Sequence, residues 1–389
     1  MVESWPEATS LDHADLRDAK DVWPELFARA RARIDLAQFY LSNQPGSALE
    51  RCVAALEQAA ARGVKVRVLA EEKFTTEYPD TLARLAAQKN FEVRHLDWKK
   101  VSGGSRGVLH AKYIIVDGEE AYLGSQNFDY RSLQQIQEVG VRFRGTNSVE
   151  GLQQVFDGDW AAAGGTPLAV KSFPVARLLP ATDSVAGASI ALLYSPSPLP
   201  GSSRWDLPAL VRLIDGATRS VRVQVLTYNP GGRGGAFPDL DEALRRAAAR
   251  GVEVTLLVSD WAMGKGSLDH LRALAAFGDA RRAEGKPGVQ IKVIVIPPLA
   301  SGCIPFARVA HAKYLAVDGR AAWVGTSNWE RDYFFESRNV SLVIEGGALP
   351  ARLEAFFLDT WMSRYTRPVQ AEGEVPPVPD KTCARAGRY

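Results

Sequence analysis

Apolar positions along the chain keep two rhythms that alternate. "ARARIDLAQFYLS" at residues 30–42 runs from a helix end into a strand with every second residue apolar, and "TRSVRVQVLTYNP" at 218–230 repeats the pattern. An Ala-rich amphipathic helix, an Arg-Gly stop and a β run follow in each case, as "LEQAAARGVKVRVLAEE" (56–72) and "LRRAAARGVEVTLLVSD" (244–260). The glycine reads as a helix C-cap and the valines as a core strand. A further helix comes next ("TLARLAAQ", 81–88; "LDHLRALAAF", 268–277), then the strands "FEVRHL" and "VQIKVIVI". Each series closes on a helix ending in Trp, "LQQVFDGDW" (152–160) and "LEAFFLDTW" (353–361).

Strands alternating with helices predict an α/β fold, and the repeat predicts that it is made twice, as two similar α-β-α sandwich halves related by a pseudo-two-fold axis. Residues 161–203 are rich in Gly, Pro and Ser and read as the crossover, placing the boundary near residue 180 and the halves at 1–180 and 181–389. Residues 371–389 read as an irregular strap or a disordered end.

Composition narrows this picture a little. With 389 residues, 46% hydrophobic, and a net charge of +2, the chain is expected to be globular and has no strongly basic nucleic-acid footprint. No apolar run reaches the length of a membrane span and the first residues lack a signal-peptide pattern, so a soluble protein is expected, exported only if a leader has been trimmed. Cys52, Cys303 and Cys383 are an odd number without metal spacing, and are expected to be scattered thiols, neither a disulfide framework nor a zinc site.

Chemistry enters with a duplicated string. "HAKYIIVDGEEAYLGSQN" starts at His110 and "HAKYLAVDGRAAWVGTSN" at His311, 201 positions later (311 − 110). His110, Lys112, Asp117, Gly124, Ser125 and Asn127 thus stand opposite His311, Lys313, Asp318, Gly325, Thr326 and Asn328. Positions i and i+2 of a strand share a face, so each His projects with its Lys. Asp-Gly turns the chain back as a hairpin, which returns Ser125 and Asn127, or Thr326 and Asn328, level with that pair. About a pseudo-two-fold axis the two sets meet in one cleft. Two lysines and two asparagine amides suit the extra charge on a pentacoordinate phosphorus, and two imidazoles supply a nucleophile and an acid. No H-E-x-x-H string and no two-metal carboxylate cluster competes, so catalysis without metal or other cofactor is expected. Asp117 and Asp318 each start a turn and are expected to act structurally.

These strings resemble the H-x-K-x(4)-D-x(6)-G-S-x-N signature of the phospholipase D superfamily, in both halves. Within it the chain is most similar to the endolysosomal branch of phospholipase-D-like 5′-exonucleases and their poxviral relatives, on "RGVLHAKYIIVDGEEAYLGSQNFDYRSLQQIQEVGV", "IPFARVAHAKYLAVDGRAAWVGTSNWERDYF" and the initial "VESWPE". The resemblance implies a metal-independent phosphodiesterase working through a phosphohistidine, with His110 as nucleophile and His311 as acid. It also places Glu138, 28 residues after His110 (138 − 110), where a carboxylate orients the histidine, whereas Asn339 stands at the matching position after His311. Glu138 is therefore expected to serve His110.

The implied substrate is single-stranded nucleic acid cleaved from a 5′ end. The alternatives are phospholipase D or transphosphatidylase chemistry on glycerophospholipids, and a non-catalytic binding module. Tyr40, Tyr228, Phe128, Trp329 and Phe335 are candidates to line the groove, either stacking on bases or lining a path for acyl chains.

Overall fold

A computed structural model describes residues 1–144, 147–166, 183–185, 187–196, 204–232, 234–373 and 383. Among them lie two large mixed sheets, of eight and nine strands. In the first, Glu138–Arg144, Glu120–Gly124, Tyr113–Val116, Arg33–Gln38, Lys65–Glu71 and Phe91–Leu96 are successive neighbours. In the second the order is the same: Asn339–Gly346, Ala321–Gly325, Tyr314–Val317, Ser220–Val225, Glu253–Ser259 and Val289–Ile294. The last three strands of each series are parallel and joined through helices, and the first three are antiparallel. Outside them, Val2–Ser4 pairs with Glu138–Arg144, and Ala188–Ser195 with Asn339–Gly346. The expected boundary near residue 180 lies outside the described residues.

Both faces of each sheet are buried, which explains the near-continuous apolar runs YIIV and YLAV. Alternate residues separate two cores. Tyr113 and Ile115, with Tyr314 and Ala316, face a central core that holds Phe156 and Trp160 of helix Asn147–Ala163 and Phe356, Phe357 and Trp361 of helix Leu349–Met362. Ile114 and Val116 face an outer core under helices Ala19–Arg29 and Ala48–Ala61, and Leu315 and Val317 face its counterpart. The two halves therefore share one central layer, built from the helices that end in Trp.

Asp-Gly makes the hairpins as the sequence predicts. Asp117 and Gly118 have φ of 54° and 70°, and Asp318 and Gly319 have 55° and 64°, the positive pair of a type I′ turn, which Gly and Asp tolerate best. The carboxylates do more than close the turn. Asp117 accepts from the backbone N–H of Arg31, Ala32 and Arg33 at 2.8–2.9 Å, and Asp318 from those of Thr218, Arg219 and Ser220 at 2.8–2.9 Å. Each Asp thus anchors the start of the neighbouring strand, and these donors hold both carboxyls below the usual range against the opposing effect of burial.

The cysteines correct an expectation. Cys303 and Cys383 form a disulfide across 80 residues, and only Cys52, buried in helix Ala48–Ala61, is free. Their sequence spacing carries no sign of it, because the fold brings Cys383 beside Cys303 across a long separation in the chain.

Candidate active site

Each H-x-K segment, just ahead of strands Tyr113–Val116 and Tyr314–Val317, begins at the seam between the halves. The His110 N–H donates to the Arg338 carbonyl at 2.9 Å and the Arg338 N–H to the Val108 carbonyl at 2.9 Å. On the other side, the His311 N–H donates to the Gln137 carbonyl at 2.8 Å and the Gln137 N–H to the Val309 carbonyl at 3.0 Å. Short parallel bridges, Leu109 with Arg338 and Gln137 with Ala310, thus stitch the halves together around a pseudo-two-fold axis. The residue after each bridge then reaches the histidine of the opposite half.

This crossing overturns the expected partner of Glu138. Its Oε2 lies 2.8 Å from His311 Nδ1, while His110 Nδ1 lies 3.0 Å from Asn339 Oδ1. A position 28 residues after one histidine serves the other, which no linear spacing reveals. Asn339 is fixed in orientation because its Nδ2 donates to the carbonyls of Tyr333 (2.8 Å) and Ser337 (3.3 Å), and Thr326 Oγ1 donates to its Oδ1 (2.8 Å). Its Oδ1 can only accept, so His110 carries its proton on Nδ1 and presents the Nε2 lone pair. Glu138 accepts from Ser132 Oγ at 3.0 Å, and its charge steadies a proton on His311.

Both lysines are buried, Lys112 being 1% and Lys313 0% exposed, and each Nζ donates to the carbonyl of its own histidine at 2.6 Å. Burial pushes the Lys112 ammonium well below its ordinary value, helped by repulsion from Lys313, and lowers Lys313 to about 7. Burial also drives His110 well down, with the lysine charges adding to it, and lowers His311 to about 4, though Glu138 pulls the other way. Glu138 itself is lowered, because the attraction of His311 and Lys313 outweighs its burial. Two buried lysines and one carboxylate beside the cleft suit an oxyanion.

Asn127 and Asn328 complete the set: both residues line the cleft, and the buried Oδ1 of each has no hydrogen-bond partner among the described residues. Ser125 and Thr326 lie one layer behind: Ser125 Oγ bonds the Val139 backbone at 3.2 and 3.1 Å, and Thr326 braces Asn339. The His, Lys and Asn of each half, six residues in all, are thus brought together, with Asp117 and Asp318 at the far ends of their strands.

The cleft has about 820 Å³ of empty space, including its open mouth. One wall carries Phe39, Tyr40, Phe74 and Tyr78; the other carries Trp261 and Phe306. Phe39 and Tyr333 stand edge-on to His110, with centroids at 4.9 and 5.0 Å. Of the aromatic candidates, only Tyr40 lines this space. Phe128, Tyr228 and Trp329 are core residues, at most 1% exposed, because the short pairings Leu41–Ser42 with Phe128–Asp129 and Tyr228–Asn229 with Trp329–Glu330 turn them inward. Phe335 is 38% exposed but packs on Trp205, away from the cleft. Phe74 and Trp261 sit on short 3₁₀ helices, Glu72–Phe74 and Asp260–Met263, and Tyr78 and Phe306 on loops; the only sequence signal for them is an aromatic within a polar stretch such as "EEKFTTEYPD".

Comparison with known proteins agrees with this architecture. The family model described as cardiolipin synthase, PLD-like domain, matches residues 24–160 and 210–361. The chain belongs to the phospholipase D superfamily. The 5′-3′ exonuclease PLD3 of Macaca fascicularis is 34% identical over 96% of this chain and 81% of its own length. Phospholipase D Z of Dictyostelium discoideum is 31% identical over 95% of this chain and 90% of its own. Among solved structures, phosphatidylserine synthase of Haemophilus influenzae shares the fold, with a TM-score of 0.65 at 12% identity over 90% of this chain and 85% of that one.

Proposed function

We propose that this protein is a phosphodiesterase that shortens single-stranded nucleic acid from its 5′ end, through a phosphohistidine on His110. The observation that carries the mechanism is the unequal pairing of the two imidazoles, His110 with a neutral amide and His311 with a carboxylate. His110 Nε2 attacks phosphorus while His311 gives its proton to the departing oxygen, so a P–N bond forms as the P–O bond breaks. His311 then takes a proton from water, whose oxygen attacks phosphorus and releases His110. Lys112, Lys313, Asn127 and Asn328 hold the non-bridging oxygens, whose charge grows in the pentacoordinate states.

For the substrate, support comes from the exonuclease relatives and from aromatic side chains on both walls, which suit unpaired bases. Cys303–Cys383 supports residence in an oxidising compartment. Among the described residues no helix is long and apolar enough to cross a membrane.

The test is a side-by-side assay with EDTA, presenting labelled single-stranded oligonucleotides and phosphatidylglycerol. Stepwise shortening from the 5′ end is expected. Turnover of lipid alone would select phospholipase D chemistry, and turnover of neither would select a binding module.

A further inference from the structure

We propose that Arg131 is a positioning residue that sets the gap between the aromatic walls of the cleft, and so governs how tightly the polymer substrate is held. The proposal rests on the nucleic-acid reading. Arg131 is 5% exposed and forks onto Asp129, with Nε 3.0 Å from both carboxylate oxygens and Nη2 2.6 Å from Oδ2. Three further contacts carry this ion pair to the cleft. Tyr40 donates its hydroxyl to Asp129 Oδ2 at 2.8 Å, and Arg131 Nη2 reaches the Tyr78 hydroxyl at 3.5 Å. Tyr40 and Tyr78 stack on each other, centroids 4.9 Å apart, and both line the cleft. Arg131 Nη1 then crosses to the other half and donates to the Pro305 carbonyl at 3.2 Å.

The next residue, Phe306, has φ of 59°, a conformation that a bulky side chain adopts only when its surroundings impose it. It is 43% exposed at the mouth, edge-on to Trp261 at 6.4 Å. One buried guanidinium therefore ties two aromatics of one wall to the loop bearing an aromatic of the other.

The arrangement differs between the halves. The positions matching Asp129 and Arg131, 201 residues on, are Glu330 and Asp332, and the matching tyrosine, Tyr228, is buried in the core and donates its hydroxyl to Asp241, which accepts from Arg245. A pseudo-symmetric cleft must still distinguish the two ends of a nucleic-acid strand, and this network makes its two sides unequal. The network lies behind the aromatics: the side chains of Asp129 and Arg131 bond to Tyr40, Tyr78 and Pro305, while the Asp129 backbone N–H donates to the Asn127 carbonyl at 2.8 Å. Its loss should therefore weaken binding of a large substrate and spare the chemistry on a small one.

Arg131→Lys keeps the charge and loses the fork. On a single-stranded oligonucleotide, KM is expected to rise about tenfold or more with kcat within about threefold, while kcat/KM on methyl 4-nitrophenyl phosphate stays within about twofold. Equal losses on both substrates, or no change on either, would overturn the proposal. Should the variant fail to fold, Tyr40→Phe, which removes only the hydroxyl on Asp129, must shift the ratio of the two kcat/KM values in the same direction. A wild-type protein that leaves oligonucleotides intact but turns over phosphatidylglycerol would refute the nucleic-acid reading alone; the same Arg131→Lys ratio is then read with that lipid in mixed micelles.

Discussion

Glu138 of the first half holds His311 of the second, Oε2 to Nδ1, at 2.8 Å. Asn339 returns the relationship to His110 with an amide in place of the carboxylate. A carboxylate stabilises an imidazolium more strongly than an amide oxygen does, and this difference supports the proposed roles of His311 as acid and His110 as nucleophile.

That asymmetry sets a pH dependence. His110 must be neutral to attack and His311 protonated to donate; both are lowered, His311 to about 4 and His110 well down. As pH rises through the His311 value the acid is lost, so kcat/KM should be greatest on the acid side of neutrality. Glu138→Gln removes the charge that raises His311, and the alkaline limb should move to lower pH. The loss should be smaller on an aryl phosphodiester, whose leaving group needs no proton. A profile unmoved by Glu138→Gln would contradict the pairing.

Lys313 titrates at about 7 in the folded protein and near 10.5 when unfolded. Between these values the unfolded chain binds more protons, so this group's contribution to stability rises with pH over that window and is least favourable below 7. A bound oxyanion stabilises the ammonium. Phosphate or vanadate should therefore raise the thermal midpoint more at pH 6 than at pH 9, and calorimetry near pH 8 in buffers of different ionisation heat should show proton uptake on binding. Proton release would contradict the buried-cation account.

Lys313→Met replaces a buried cation with an apolar side chain of similar length. Activity should fall by about 10²-fold or more while the thermal midpoint of the free protein rises. A variant that is both inactive and less stable would place the lysine in the fold as much as in the site.

The duplicated strings reveal both sheets, their hairpins and the six His, Lys and Asn residues of the cleft, since period-two strands and Asp-Gly turns are local signals. Contacts across the seam are not local. Glu138 lies 173 residues from His311, and the disulfide joins Cys303 to a tail residue whose neighbours gave no pattern. Phe128 and Trp329 follow the motif asparagines and still point into the core, because two-residue bridges rather than periodicity decide their facing.

The disulfide can be checked by thiol titration of the denatured, unreduced protein, which should find one free thiol, Cys52. Closing an 80-residue loop contributes on the order of 4–5 kcal/mol in the chain-entropy account, so Cys303→Ser should lower the thermal midpoint by several degrees. Three titratable thiols, or an unchanged midpoint, would refute the cross-link.

The phosphohistidine itself is the most direct measurement. Protein quenched at high pH during turnover of an oligonucleotide or an aryl phosphodiester, then digested and mapped by mass spectrometry, should carry phosphorus on His110, in the peptide containing HAKYIIVDG. Phosphorus on His311, in the peptide containing HAKYLAVDG, would reverse the assigned roles and contradict the account.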